Sequence, residues 1–264
     1  MMSEVIATLK KDYIYNLMIK EKRQDGRGFK AFRDIKLETN IISKAEGSAK
    51  VTLGNTQVLV GVKLQTGTPF PDSQDEGVII TNLELNPIAS PEFEPGPPRE
   101  DAIEMARVVD RGIRESGAID IKKLCITVGE SVWIAYIDVH VLNDDGNIID
   151  ASCLAAIAAL MTTVVPNEQQ GIGANVPLAM KEIPVGVTLA RVGSKLMVDP
   201  SRDEEAVCET KLTVVSSSDG SVAGMQKMGS APFTEAEVLE AIDMACEKAA
   251  EIRNLYLEGL VKRE

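Results

Sequence analysis

The sequence predicts an α+β fold of two βαβα-type halves, with mixed sheets covered by helices. Three observations carry this. Blocks of alternating β-branched residues are followed by single helical segments, and that order occurs twice. Residues 166–184 hold three prolines and two glycines between the two occurrences, marking a linker. The 264 residues are 44% hydrophobic and 26% charged, the composition of a chain that buries a sizeable core. The expected organisation is an N-terminal helix over 1–25, a first half over 26–165, the linker, and a second half over 185–264.

Taken in order, residues 3–22 place Ile6, Leu9, Tyr13 and Leu17 at helical spacing, predicting an amphipathic helix packed on the body or on a neighbour. Gly26 and Gly28 end it, and a strand is expected over 32–38. Val51 and Leu53, then Val58, Val60, Val62 and Leu64, alternate on either side of Gly54-Asn55, a hairpin signal because these residues tolerate positive φ. Another strand is expected over 77–85. Five prolines between 87 and 98 then predict an extended, stiff connection, either a plain surface loop or a binding element. After a helix over 99–116, strands are expected over 123–128 and 131–142, closed by a turn at Asn143-Asp144-Asp145-Gly146. Asp150 is placed to cap a helix over 151–164 that is apolar nearly all round and therefore buried. The second half reads as strands over 185–192, 195–198, 206–216 and 221–228, the last pair turned by Asp219-Gly220. A final helix over 234–256 opens with Thr234 and Glu237 in capping-box spacing.

The formal net charge of −12 excludes a protein that coats nucleic acid with a broad basic surface, but it leaves room for a local cluster. Cys125, Cys153, Cys208 and Cys246 are far apart and His140 is the only histidine, so neither a zinc site nor another metal site is expected, and no cofactor. Cys153 and Cys246 read as small buried residues. The N-terminus lacks the continuous apolar block of a signal peptide, and the near-apolar run 153–165 is too short to span a bilayer. No membrane association and a reducing, cytoplasmic setting are expected.

The helix over 99–116 is the stretch with chemical content. At about 100° per residue, Ala102, Ile103, Met105, Ala106, Val109 and Ile113 share one side and Arg107, Arg111 and Arg114 the other. Three guanidinium groups in a row suit successive phosphates of a polyanion. Glu104, Asp110 and Glu115 also stand three or four residues from these arginines, so ordinary surface ion pairs could explain the whole row, and spacing alone favours them.

RQDGRGFKAFRDIKLETN with GSAKVTLGNTQVLVGVK, and later DASCLAAIAALMTT and VDPSRDEEAV, resemble the RNase PH family of phosphorolytic exoribonucleases over nearly the whole chain. FEPGPPREDAIEMARVVDRGIRES and VDPSRDEEA resemble the non-catalytic subunit of the archaeal exosome ring within that family. The resemblance implies an RNase PH-like fold and a 3′-to-5′ RNA degradation complex in which chemistry belongs to a catalytic RNase PH-like sister. The partners it implies are that sister, in heterodimers forming a hexameric ring, together with RNA and cap proteins of S1/KH or zinc-ribbon type. By residue match, Arg107 and Arg111 stand where the family's arginines reach the neighbour's RNA; Arg114 is added by spacing alone. The family's phosphate-binding arginine corresponds to Cys153, beside Ser152, a degenerate phosphate site able at most to bind an anion weakly. Its two acids, six residues apart, correspond to Glu205 and Lys211, whose even separation would put both on one strand face. Read without the resemblance, Glu205, Glu209 and Lys211 are an ordinary charged outer strand face, the reading the residues themselves favour. Three functions stay open: an RNA-contacting subunit with no catalysis of its own, an independently active exoribonuclease using Glu205, and a scaffold with no RNA role.

Overall fold

The computed structural model describes residues 2–261, with side chains for 11–260. The first half carries α1 (Met2–Ile19), β1 (Ile35–Thr39), β2 (Gly47–Leu53), β3 (Thr56–Gly67), β4 (Val78–Leu85), α2 (Glu100–Glu115), β5 (Cys125–Thr127), β6 (Ser131–Asn143) and α3 (Ile148–Met161). Its sheet has the order β1-β2-β3-β6-β4, with β5 also on β6. The β4–β6 pair is parallel and the rest antiparallel, because α2 carries the chain across the sheet between β4 and the later strands. After two short strands, β7 (Val164–Val165) and β8 (Val176–Pro177), come β9 (Val185–Val192), β10 (Lys195–Val198), α4 (Arg202–Val207), β11 (Thr210–Ser216), β12 (Val222–Gly229) and α5 (Glu235–Ile252). This second sheet, ordered β10-β9-β11-β12, is antiparallel throughout, so only the first sheet is mixed.

The hairpin forms as expected, with Gly54 at φ 58° and the alternating valines of β2 and β3 all buried. They pack against α3, which is buried on every side because it lies between the first sheet and β9. One continuous core therefore joins residues of both sheets through α3.

Several expected elements differ in ways the packing explains. On α1, Ile14 and Met18 face inward against Ala190, Val192 and Met197, leaving Tyr13 exposed and Leu17 half-buried. Ile6 and Leu9 lie outside the described side chains. β1 begins at Ile35, and the stretch before β5 opens with a 3₁₀ turn, Ile121–Leu124. The proline-bearing stretch is folded rather than extended: Ala89 N donates to Asn86 O, Phe93 N to Ser90 O, and Glu92 pairs with Arg202 at 2.8 Å. Asp150 does not cap α3; the helix starts after Asn147, which adopts φ 58°, and Asp150 sits inside its first turn. The helix also stops at Met161, and Val164–Val165 pairs with Val176–Pro177. The strand expected over 206–216 begins only at Thr210, because Ser201 and Glu204 close a capping box that winds residues 202–207 into helix α4. Cys246 is half-buried rather than buried. No helix among the described residues is long and apolar enough to cross a membrane.

Candidate nucleic-acid interface

Helix α2 lies in the angle between the two sheets. Ala102, Ala106, Val109 and Ile113 turn inward as the spacing demands. Val108 and Gly112 are buried as well, because the second sheet closes on that flank: a Cβ on Gly112 would stand 3.3 Å from Val215. The buried arc is thus rotated from the sequence expectation, leaving Met105 half-buried and Ile103 50% exposed.

That rotation separates the three arginines. Arg114 folds back on the first sheet, donating to Asp110 at 3.1 Å and to the Ile79 carbonyl at 3.0 Å. Arg107 and Arg111 stay exposed and make no hydrogen bond or ion pair with any described residue. Glu104, the partner that spacing offered Arg107, is otherwise engaged, and Glu115 makes no ion pair with Arg111. Gln226 on β12 donates to Glu104 at 2.9 Å, while Thr81 and Arg114 hold Asp110. Of the ion pairs that spacing allows, only Asp110–Arg114 forms. Arg107 and Arg111 border a groove of about 380 Å³ between α2 and the β11–β12 pair.

The positions aligned with catalytic and phosphate-binding groups lie elsewhere, around the start of α3, buried or paired with one another. Glu205 and Lys211 do not share a strand face: Glu205 is on α4 and Lys211 on β11, because the capping box winds the intervening chain into a helical turn. They meet nonetheless, Lys211 Nζ lying 2.7 Å from Glu205 Oε1 with side chains 20% and 22% exposed, so they are not an outer charged face either. Burial works against the Lys211 ammonium, but Glu205 outweighs it and its pKa lies above the ordinary lysine value. Glu209 instead pairs with Arg191 at 3.2 Å.

Ser152 and Cys153 are both buried in α3, and the Ser152 hydroxyl has no partner among the described residues. Burial pushes the Cys153 thiol well above its usual range, so it stays neutral. The first turn of α3 holds a carboxylate of its own: Asp150 accepts from Thr188 N and Oγ1 at 2.9 and 2.6 Å and from Asn147 Nδ2 at 2.9 Å. Burial dominates over these donors and pushes its pKa up to about 7.

Beside it lies a group that sequence reasoning missed. Asp199, fully buried at φ 49°, accepts from Arg27 Nη1 at 2.7 Å, from Arg33 Nη2 at 2.6 Å and from Asn147 Nδ2 at 2.8 Å. Its burial is outweighed by Arg33, which holds its carboxyl below the usual range. No local periodicity marks it, since its arginines come from more than 160 residues earlier. Among the described residues no three His, Cys, Asp or Glu side chains converge as metal ligands would.

Residues 31–166 match the family model described as 3′ exoribonuclease family, domain 1, and residues 182–248 match domain 2 of the same family. The chain is 89% identical over 263 residues to Exosome complex component Rrp42 of Methanosarcina mazei, covering 100% of this chain and 99% of that protein. It is 50% identical over 258 residues to the protein of the same name from Archaeoglobus fulgidus, covering 98% and 100%. Its fold superposes with a TM-score of 0.93, at 51% identity and covering 95% of this chain and 98% of the other, on a chain of the solved Archaeoglobus fulgidus exosome with RNA bound to the active site. With both domains matched in order and full-length relatives at this identity, the chain belongs to the 3′ exoribonuclease, or RNase PH, family.

Proposed function

We propose that this chain is a non-catalytic subunit of an exosome ring, working in the cytoplasm. It pairs with a catalytic RNase PH-like sister in heterodimers that close a hexamer and carry cap proteins of S1/KH or zinc-ribbon type, and it contributes Arg107 and Arg111 to the grip on RNA. Arg114, tied to Asp110 and Ile79, steadies the helix rather than reaching the strand.

The observation that carries this reading is a contrast of charges. Phosphorolysis needs a cationic pocket for inorganic phosphate and an acid for the leaving oxygen. At the corresponding place this chain has a neutral thiol at Cys153, an ammonium consumed by Glu205 and a carboxylate consumed by arginines. On α2, by contrast, two guanidinium groups stand without partners among the described residues of an acidic molecule. At four residues apart their positions differ by ~6 Å along the helix, and each offers a planar fork for phosphate oxygens.

Purified alone with RNA and inorganic phosphate, the chain is expected to release no nucleoside diphosphate, and mixing with the catalytic sister restores release. Release by this chain alone would overturn the reading. In the assembled ring, Arg107→Glu with Arg111→Glu is expected to weaken RNA binding at least tenfold without disturbing assembly, because repulsion replaces two phosphate contacts. Unchanged RNA turnover would instead support a scaffold with no RNA role.

A further inference from the structure

The groove beside Arg107 and Arg111 has a composition that an arginine pair alone does not need. Ile103 and Met225, 50% and 45% exposed, both line it, over a floor that includes Val215. Glu100 and Glu104 line it too. Its volume of about 380 Å³ lies in the range of small-ligand sites. A phosphate entering it would meet two carboxylates, whereas a neutral, flat, apolar-faced group would meet a thioether, an isoleucine and guanidinium planes, surfaces on which such rings stack.

The polar rim is more selective still. Gln226 Nε2 donates to Glu104 Oε1 at 2.9 Å. A carboxylate only accepts, so the amide must turn its nitrogen to Glu104 and its oxygen away. That leaves Gln226 Oε1 and Glu104 Oε2 as two acceptors to which no described residue donates.

We infer that this groove seats a nucleobase of single-stranded RNA, with the phosphates outside on Arg107 and Arg111, and that it favours bases bearing an exocyclic amino group. Adenine offers N6–H₂ and cytosine N4–H₂ to the two acceptors. Uracil presents carbonyl oxygens there, with a single N–H between them, and is disfavoured. This rests on the RNA-contact reading of the arginine pair and adds to it a preference that phosphate contacts cannot supply.

The test uses the ring assembled with its catalytic sister, in the absence of phosphate so that RNA is not consumed. Labelled oligo(A) and oligo(U) are titrated into wild type, into Glu104→Leu with Gln226→Leu, and into Arg107→Glu with Arg111→Glu. The groove variant is expected to lower the A-to-U affinity ratio by roughly threefold to tenfold, the worth of one or two shared hydrogen bonds. The arginine variant is expected to weaken both oligomers alike. An unchanged ratio in the groove variant, with both oligomers weakened by the arginine change, overturns the base seat and leaves the contact reading standing. No effect of the arginine change on either oligomer overturns both. Oxidation of Met225 reports occupancy directly: protection by oligo(A) beyond that by oligo(U) supports the seat. Protection complete on assembly, before any RNA, shows a protein surface filling the groove and overturns it.

Discussion

Glu204 carries a carboxylate to a position 1% exposed, and Arg23 meets it there with Nε 2.8 Å from Oε1 while also donating to the carbonyls of Val198 and Asp199. Removing one member of such a buried pair strands the other, at a cost of about 3–5 kcal/mol. Arg23→Ala is therefore expected to lose that much in urea unfolding, and adding Glu204→Gln to regain part of it, since an unpaired amide costs less to bury than an unpaired charge. A single variant within about 1 kcal/mol of wild type would contradict this. Asp150 makes the opposite kind of prediction. Its folded pKa of about 7 lies above the ordinary 3.8, so the native state holds a proton that the unfolded chain has released across that interval. Its contribution to stability is full below about pH 3.8 and is lost as pH rises towards 7. Asp150→Asn cannot ionise, so wild type should lose stability relative to the variant over this window. Parallel pH curves for the two proteins would sink the assignment.

Among the elements, the β2–α3 contact depends on one residue without a side chain. A Cβ on Gly47 would stand 2.4 Å from the Ala159 carbonyl and 2.9 Å from Thr163 Cα, backbone that cannot yield as a side-chain tip does. Gly47→Ala is expected to destabilise by about 1–3 kcal/mol or more, read as a lower unfolding midpoint with an unchanged denaturant slope. The hairpin and α5 were legible in the sequence because each rests on a pattern within its own segment, alternating valines in one case and Thr234 with Glu237 in the other. Helix α4 was not, although Ser201 and Glu204 stand in the same spacing as that second pair. The six-residue separation of Glu205 and Lys211 invited a strand reading, and only the closed capping box decides for helix. Thr234→Ala should cost α5 about 1 kcal/mol, the ordinary worth of an N-cap.

For the whole molecule, charge decides more than shape. A body of formal charge −12 repels a polyanion, so the proposed RNA contact would rest on Arg107 and Arg111, which no described residue neutralises. The sequence exposed the arginine row but not which members were free. That depends on Gln226, 122 residues away, taking Glu104, and on Asp110 keeping Arg114. The closed site at the start of α3 was equally out of reach, because Asp199 finds Arg27 and Arg33 only once the two sheets have met. These contacts set up a measurement that separates direct grip from indirect support. Each phosphate neutralised on a single strand contributes about 0.7 to the slope of log affinity against log salt. Arg107→Gln with Arg111→Gln removes two charges without adding repulsion, so the ring's slope should fall by about 1.4. Weaker binding with an unchanged slope would mean that the arginines hold the protein rather than the RNA.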